Sequence, residues 1–160
     1  MSLTWNDLGL VEKVSLNDTV LVNYSYLADG TKVSALDGEG DGLLYLGSLI
    51  YRKTGNSIEL ESAGFAGGRF VARDNGIVPM IHVTDHLGSV RAVVDITDTG
   101  ESVEDVMDLI LEQNDYRPFG ERVDDERMEV DGENRYRFAG KEEQTFLNGT
   151  YSDFGARFYS

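Results

Sequence analysis

The sequence predicts an all-β fold, namely an antiparallel, curved sheet of consecutive β-hairpins. First, aromatic or β-branched residues repeatedly precede a glycine, as in residues 24–30 (Tyr-Ser-Tyr-Leu-Ala-Asp-Gly). This pattern is typical of a β-strand that is followed by a tight turn and a return strand. Second, the 160 residues include 18 glycines but only two prolines, which favours turns over disordered linkers. Third, turn glycines recur about every twenty residues, the length of a strand, a turn and a return strand. The glycines taken as equivalent are Gly30, Gly47, Gly67, Gly88, Gly120 and Gly140.

The strands are predicted in chain order from alternation and turn signals. A first hairpin covers residues 20–34, because a loosely alternating strand ends at Asp29-Gly30, a strong hairpin signal. A second hairpin covers residues 43–51 and turns at Gly47-Ser48, and residues 57–61 then alternate between polar and apolar. A third hairpin covers residues 80–96 and turns at 85–88 (Asp-His-Leu-Gly). Further turns are predicted at 116–120 (Tyr-Arg-Pro-Phe-Gly) and 136–140 (Tyr-Arg-Phe-Ala-Gly).

One interval between the glycines is long, which indicates an insertion. Val103, Val106 and Met107 fall in it at helical spacing, so a short helical or irregular insertion is expected near 98–108, with a strand after it. A length of 160 residues suits a single domain. We divide the chain into an N-terminal extension, 1–13, and a β domain, 14–160.

The charge of the chain excludes one class of partner. Fourteen basic and 29 acidic residues give a net charge of −15, which repels phosphate backbones, so no nucleic-acid partner is expected. The excess is concentrated in residues 101–133, which are expected to be solvated on at least one face. Cysteine is absent, which excludes disulfides and thiolate metal sites. The N-terminus has neither a basic region nor an apolar run, and no membrane span is predicted.

No catalytic set, metal site or cofactor is predicted, so an enzyme is not expected. His82 and His86 are the only histidines, and in a strand and turn residues four positions apart lie about 13 Å from each other, too far to share a metal. Glu142-Glu143 and residues 124–126 (Asp-Asp-Glu) are interpreted as solvated charge runs. No serine lies in a nucleophile elbow. Asp85 is expected to accept N–H bonds within its own turn.

The aromatic residues, glycines and arginines around the turns are interpreted as structural. An aromatic ring that covers a glycine on a neighbouring strand fixes the register, and an arginine after a turn can pair with a carboxylate or stack on a ring. An ordered row of exposed tyrosines would instead indicate a binding surface. The residues assigned to this structural motif are Tyr24, Tyr26, Gly30, Asp85, His86, Gly88, Arg91, Tyr116, Pro118, Gly120, Tyr136, Phe138, Gly140, Asp153, Gly155, Arg157 and Tyr159.

Four of these phrases carry a family resemblance. Residues 84–91, 114–122, 134–143 and 153–159 (Asp-Phe-Gly-Ala-Arg-Phe-Tyr) resemble, in the same order, the RHS repeat-associated core region of RHS/YD-repeat proteins. Residues 24–34 and 43–51 are similar to ordinary YD repeats. The resemblance implies a fragment of a large secreted or surface-displayed protein, whose repeats wind into a β-sheet shell that often encloses a C-terminal toxin.

The resemblance also sets the expected function and partners. In the family the core region continues into an Asp-Pro-containing segment tied to self-cleavage, and then into a toxin. This sequence contains no Asp-Pro, so neither property is expected of it. A structural scaffold is predicted, with neighbouring YD repeats of the parent chain as partners and with homo-oligomers formed through strand edges. The alternatives are a module that binds glycans or a surface partner on an aromatic-lined sheet, and a hydrolase.

Overall fold

The computed structural model describes residues 1–97, 109–123, 134–144 and 152–154, and the backbone of 158 and 159. The insertion predicted near 98–108 lies outside these residues. The described chain forms fourteen strands and one turn of 3₁₀ helix, Phe138–Gly140. The strands are β1 Ser2–Trp5, β2 Val11–Leu16, β3 Thr19–Tyr26, β4 Lys32–Leu36, β5 Gly42–Leu46, β6 Leu49–Thr54, β7 Ser57–Phe65, β8 Gly68–Arg73, β9 Gly76–Thr84, β10 Val90–Asp95, β11 Ile110–Gln113, β12 Glu142–Glu143, β13 Ser152–Asp153 and β14 Phe158–Tyr159.

Strands β1 to β11 form one sheet in which the strand order follows the chain order. Successive strands pair antiparallel, so the sheet is a succession of hairpins and the predicted all-β fold class is confirmed. The three hairpins predicted from turn signals are β3–β4, β5–β6 and β9–β10. The predicted N-terminal extension supplies β1, which pairs with β2. Separately, β13 pairs antiparallel with β14.

Six turns in the described chain share one hydrogen-bond pattern. In each, the N–H of the first residue donates to the carbonyl of the fifth, and a glycine at the fourth position donates to the carbonyl of the first. All six glycines have a positive φ, between 63° and 90°, which glycine adopts without steric cost and which suits a short hairpin loop. The turns are 6–10, 27–31, 37–41, 85–89, 117–121 and 137–141.

This pattern corrects the set of glycines that spacing alone made equivalent. Gly47 lies in a two-residue loop between the paired residues Leu46 and Leu49, and Gly67 also lies outside the six turns. The glycines that are equivalent in hydrogen bonding are Gly9, Gly30, Gly40, Gly88, Gly120 and Gly140. Their spacing is uneven because some hairpins close with this longer loop and others with a two-residue loop.

The chain divides into two compact units, each with its own core. Unit 1 comprises Met1–Ala63 and Gln144–Tyr159, and unit 2 comprises Gly64–Glu143. The core of unit 1 contains Val11, Val14, Val22, Tyr24 and Ala35, and that of unit 2 contains Val71, Met80, Val90 and Val93. Among the described residues there is no helix with the length and apolar composition needed to span a bilayer.

Candidate functional site

The candidate site of unit 2 is a group of buried side chains of opposite charge. Arg137 is 8% exposed, and its Nε and Nη1 atoms donate to Glu112 Oε1 at 3.0 Å and to Glu143 Oε2 at 2.8 Å. Arg135 Nε donates to Glu142 Oε1 at 3.3 Å. Pairing is essential here, because a buried charge without a partner is strongly destabilising. We call these five residues the acid–arginine cluster.

Strands β10 and β11 position the sheet side of this cluster. Glu112 is paired with Val93 in the ladder, so its side chain lies on the same face as the core of unit 2. Asn114 Nδ2 donates both to Glu112 Oε1 and to the carbonyl of Val90. These bonds fix the orientation of the carboxylate that Arg137 binds.

Backbone bonds attach residues 134–143 to the same part of the sheet. The N–H of Val90 donates to the carbonyl of Arg137 at 2.9 Å, and the N–H of Ala139 donates to Ser89 Oγ at 3.0 Å. The N–H of Glu143 donates to the carbonyl of Arg135 at 2.6 Å, which brings the two arms of the 137–141 turn together. The segment is thus fixed to the sheet both by its backbone and by ion pairs.

Burial sets the protonation properties of the cluster. Burial disfavours the charged form of Arg137, but Glu112 and Glu143 outweigh it and raise the pKa of the guanidinium. Burial raises the pKa of the Glu143 carboxyl, and Arg137 only partly offsets this. Burial, with a contribution from Glu112, also raises the pKa of Tyr116, whose hydroxyl donates to the carbonyl of Val90 at 2.8 Å. A raised carboxyl pKa is common in general acids, but Glu143 is bonded to Arg137, an arrangement that holds chain segments together.

Arginines of unit 2 also stack on tyrosines of the structural motif. The guanidinium carbon of Arg69 lies 5.4 Å from the ring centroid of Tyr136, and that of Arg91 lies 5.7 Å from the centroid of Tyr116. Arg91 forms an ion pair with Asp115 as well. The two roles that the sequence suggests for Arg91, pairing with a carboxylate and stacking on a ring, are therefore combined in one side chain.

Unit 1 contains a second polar site, which we call the Lys32 clamp. Lys32 Nζ lies 5.3 Å from the ring centroid of Tyr24 and 5.1 Å from that of Tyr45, and it pairs with the carboxylate of Asp153. The hydroxyl of Tyr24 donates to Gln144 Oε1, and Gln144 Nε2 donates to Asp153 Oδ2 at 3.5 Å. The clamp therefore fixes β13 against β3 and β4 within this unit.

Tyr26 supports the clamp from the adjoining position on β3. Its hydroxyl donates to the carbonyl of Val11 at 2.8 Å. Burial raises the pKa of Tyr26 to about 12, with a further contribution from the Asp153 carboxylate. The phenol therefore stays protonated and remains a hydrogen-bond donor throughout the neutral range.

The remaining motif residues lie mostly in turns. Asp85 Oδ1 accepts bonds from the N–H groups of Leu87 and Ser89 at 2.9 and 3.0 Å, as the sequence predicts, and the Ser89 bond is the main cause of the lowered pKa of Asp85. His86 is exposed in the same turn, and Pro118 is exposed in the 117–121 turn. Gly155, Arg157 and the side chain of Tyr159 lie outside the described residues.

One sequence interpretation of acidic residues is wrong. Glu142 is buried and Glu143 is partly buried, so this pair is not a solvated run. Glu112 is also buried; it lies in the stretch 101–133, which is expected to be solvated on at least one face and of which the structure describes only 109–123. One sequence signal could have identified the pairing. Arg-x-Arg at 135–137 leads into the turn and Glu-Glu at 142–143 follows it, which places opposite charges on the two arms, where cross-strand pairs form. Residues 124–126 lie outside the described chain.

The two histidines differ in burial. His82 lies in β9, and its Nε2 atom is buried without a hydrogen-bond partner, whereas His86 is exposed. Burial lowers the pKa of His82 below the ordinary value of 6.5, Arg69 lowers it further, and Glu112 opposes the shift. In the part of the chain that the structure describes, no three His, Asp or Glu side chains are grouped as metal ligands.

We expect the stability contributed by neutral His82 to be lost as the pH falls below 6.5. The unfolded chain takes up a proton near the ordinary pKa, whereas the folded chain resists it, so the free energy of unfolding decreases between the two pKa values. Denaturant unfolding from about pH 8 down to about pH 5, the range in which histidine titrates, should show that His82→Gln removes this component and that His86→Gln retains it. The opposite assignment would contradict the burial of His82.

The comparisons with known proteins agree with this fold. No family model and no curated protein matches the chain. Solved structures do match over 99% of the chain: the Photorhabdus luminescens Tc holotoxin pore with mutant TccC3 (TM-score 0.67, 18% identity), the TcdB2-TccC3 crystal structure (0.67, 16%) and TcdB2-TccC3 without its hypervariable C-terminal region (0.65, 19%). The chain spans 8% of the length of each matched chain. The predicted likeness to RHS/YD-repeat shell proteins is thus confirmed at the level of the fold.

Proposed function

We propose that the chain is a structural β-repeat scaffold, part of the shell of a secreted or surface-displayed RHS/YD-repeat protein of the polymorphic-toxin type. One observation carries the proposal: the buried charges of the acid–arginine cluster are paired with one another and join residues 134–143 to the sheet. A catalytic site needs polar groups aimed at a substrate. Here the polar groups bind other parts of the chain, which is the arrangement that a structural element of a shell requires.

The burial of the tyrosines favours this scaffold over an aromatic binding surface. Tyr24 is buried, and the other described tyrosines of the motif, Tyr26, Tyr116 and Tyr136, are partly buried. The hydroxyl of Tyr26 donates to the carbonyl of Val11, and the hydroxyl of Tyr116 donates to the carbonyl of Val90. Glycan-binding platforms require ring faces open to solvent, whereas these rings pack within each unit.

The proposed partners follow from the strand order. We propose that neighbouring YD repeats of a parent chain pair with the outermost strands, and that β1, the first strand in the sheet order, provides one such edge for pairing with a neighbour or a second chain. Unpaired N–H and C=O groups along an edge strand are templates for this association. In this scheme 14–160 is the repeat domain and 1–13 is its N-terminal extension.

A paired activity test separates the scaffold from a hydrolase. Glu143, the described carboxylate whose raised pKa most resembles that of a catalytic acid, is replaced in Glu143→Gln, and Glu121→Gln in an exposed turn is the matched control. We expect no turnover of glycoside, ester or peptide panels by the wild-type chain or either variant. Turnover that disappears only in Glu143→Gln would overturn the proposal, and saturable binding to a glycan panel would favour the aromatic binding surface instead.

A further inference from the structure

The paired positions on the second face of β8–β11 carry no charged side chain, whereas Arg91, at the irregularity between Val90 and Ala92 on β10, has no paired position in the ladder and forms an ion pair with Asp115. Residues on a strand alternate between the faces of the sheet, and directly paired residues share a face. Arg69, Met80 and Asp95 form one row of paired residues, on the face that carries the unit 2 core. On each strand, the residues that alternate with this row lie on the opposite face, which we call the apolar face. Its residues are Phe70, Ala72, Ile77, Pro79, Ile81, Val83, Ala92, Val94 and Ile110, together with Gly68 and Gln113.

The apolar face is open to solvent at several positions. Ile77 is 61% exposed, Val83 is 49% exposed and Phe70 is 43% exposed. The ring of Phe65 extends the face, because its centroid lies 4.8 Å from that of Phe70. An antiparallel sheet with one solvated face ordinarily places polar side chains there. On these strands the paired charged residues Arg69, Arg73, Asp95 and Glu112 lie on the face that carries the unit 2 core instead. A contiguous exposed apolar surface of this kind indicates a binding interface.

We propose that the apolar face is an interface between two copies of this chain. The chain carries a net charge of −15, so two copies repel each other over most of their surface, and an uncharged face is where they can meet at the least electrostatic cost. The occupant must itself be flat, apolar and uncharged, and the same face of a second copy has these properties. A two-fold axis places the face against itself, with the two sheets stacked about 10 Å apart as in a sandwich.

The size of the face sets the strength of this association. Four strands about 4.8 Å apart, each presenting about 20 Å of its length, give a face of roughly 300–400 Å². A standard stable interface buries about 800 Å² on each partner. The dimer is therefore reversible and depends on protein concentration.

Sedimentation velocity over a concentration series of the full chain tests the proposal. The mean mass of the wild-type chain should rise from that of a monomer towards that of a dimer as the concentration increases through the micromolar range. Ile77→Lys should weaken the dimer about tenfold or more, because a lysine would be desolvated in the apolar contact. The added lysine lowers the net negative charge and therefore the repulsion between two copies, which by itself would favour the dimer. Long-range electrostatics therefore cannot explain a weaker dimer. Circular dichroism checks that the fold is kept, and Val83→Lys repeats the test at a second exposed position.

Leu46→Lys is the matched control. Leu46 is 67% exposed and lies on β5 in unit 1, so the same change in charge at an exposed leucine should leave the dimer intact. A wild-type chain that stays monomeric at every concentration would overturn the proposal. So would a folded Ile77→Lys variant that associates like the wild type, because association would then occur elsewhere, for example at strand edges. Neither result depends on the presence or absence of turnover.

Discussion

Arg137→Ala is expected to lower the free energy of unfolding by about 3–5 kcal/mol, the usual cost of removing one partner from a buried ion pair. The substitution leaves Glu112 and Glu143 without the guanidinium that both carboxylates bind at present. It also removes the side chain that anchors the 137–141 turn. Denaturant unfolding measures the loss, and hydrogen exchange at the Val90 N–H, which donates to the carbonyl of Arg137, reports whether the segment detaches before the sheet unfolds.

Arg117→Ala provides the matched control. Arg117 also pairs with a glutamate across one of the six turns, at 3.2 Å from Glu121, but the two side chains are 61% and 67% exposed. Exposed pairs contribute about 0–1 kcal/mol, so this variant should unfold almost like the wild type. Equal losses in the two variants would mean that the acid–arginine cluster is solvated and does not hold the segment in place.

The contrast between these two arginines shows what local sequence can predict. Both are the first residue of a glycine turn, and these turns are readable because the glycine that marks each of them lies within the same five residues. Burial is not readable in this way. Arg137 is buried because Glu112, 25 positions earlier, lies beneath it on β11, and such pairing depends on the register of the whole sheet.

The Lys32 clamp illustrates the same limit at greater separation. Lys32 and Asp153 are 121 positions apart, and the sequence predicts a structural role for Asp153 without indicating its partner. Composition was also misleading, since acid-rich stretches are usually solvated. The carboxylates of Glu112, Glu142 and Glu143 depart from that rule because arginines from the 134–137 stretch neutralise them inside the fold.

Gly42→Ala is expected to lower the free energy of unfolding by about 2–6 kcal/mol, the sum of a strained backbone and an overpacked contact. Gly42 begins β5 with φ at +145°, where side chains are rarely tolerated. A Cβ atom there would overlap the carbonyl oxygen of Ala35 and lie 3.0 Å from the Cα of Leu36. Both contacts are with the backbone of β4, the strand paired with β5, so relief requires the two strands to separate. Thermal and denaturant unfolding measure the effect.

Gly47→Ala is the control that measures the cost of a positive φ without a steric contact. Gly47 also has a positive φ, +60°, but a Cβ atom there would meet nothing within 4 Å, so only the cost of the left-handed backbone remains, about 1–2 kcal/mol. The difference between the two variants therefore measures how closely β4 and β5 approach at Gly42. Equal costs for the two alanines would mean that β4 and β5 do not approach closely at Gly42, and would contradict the register Leu36↔Gly42.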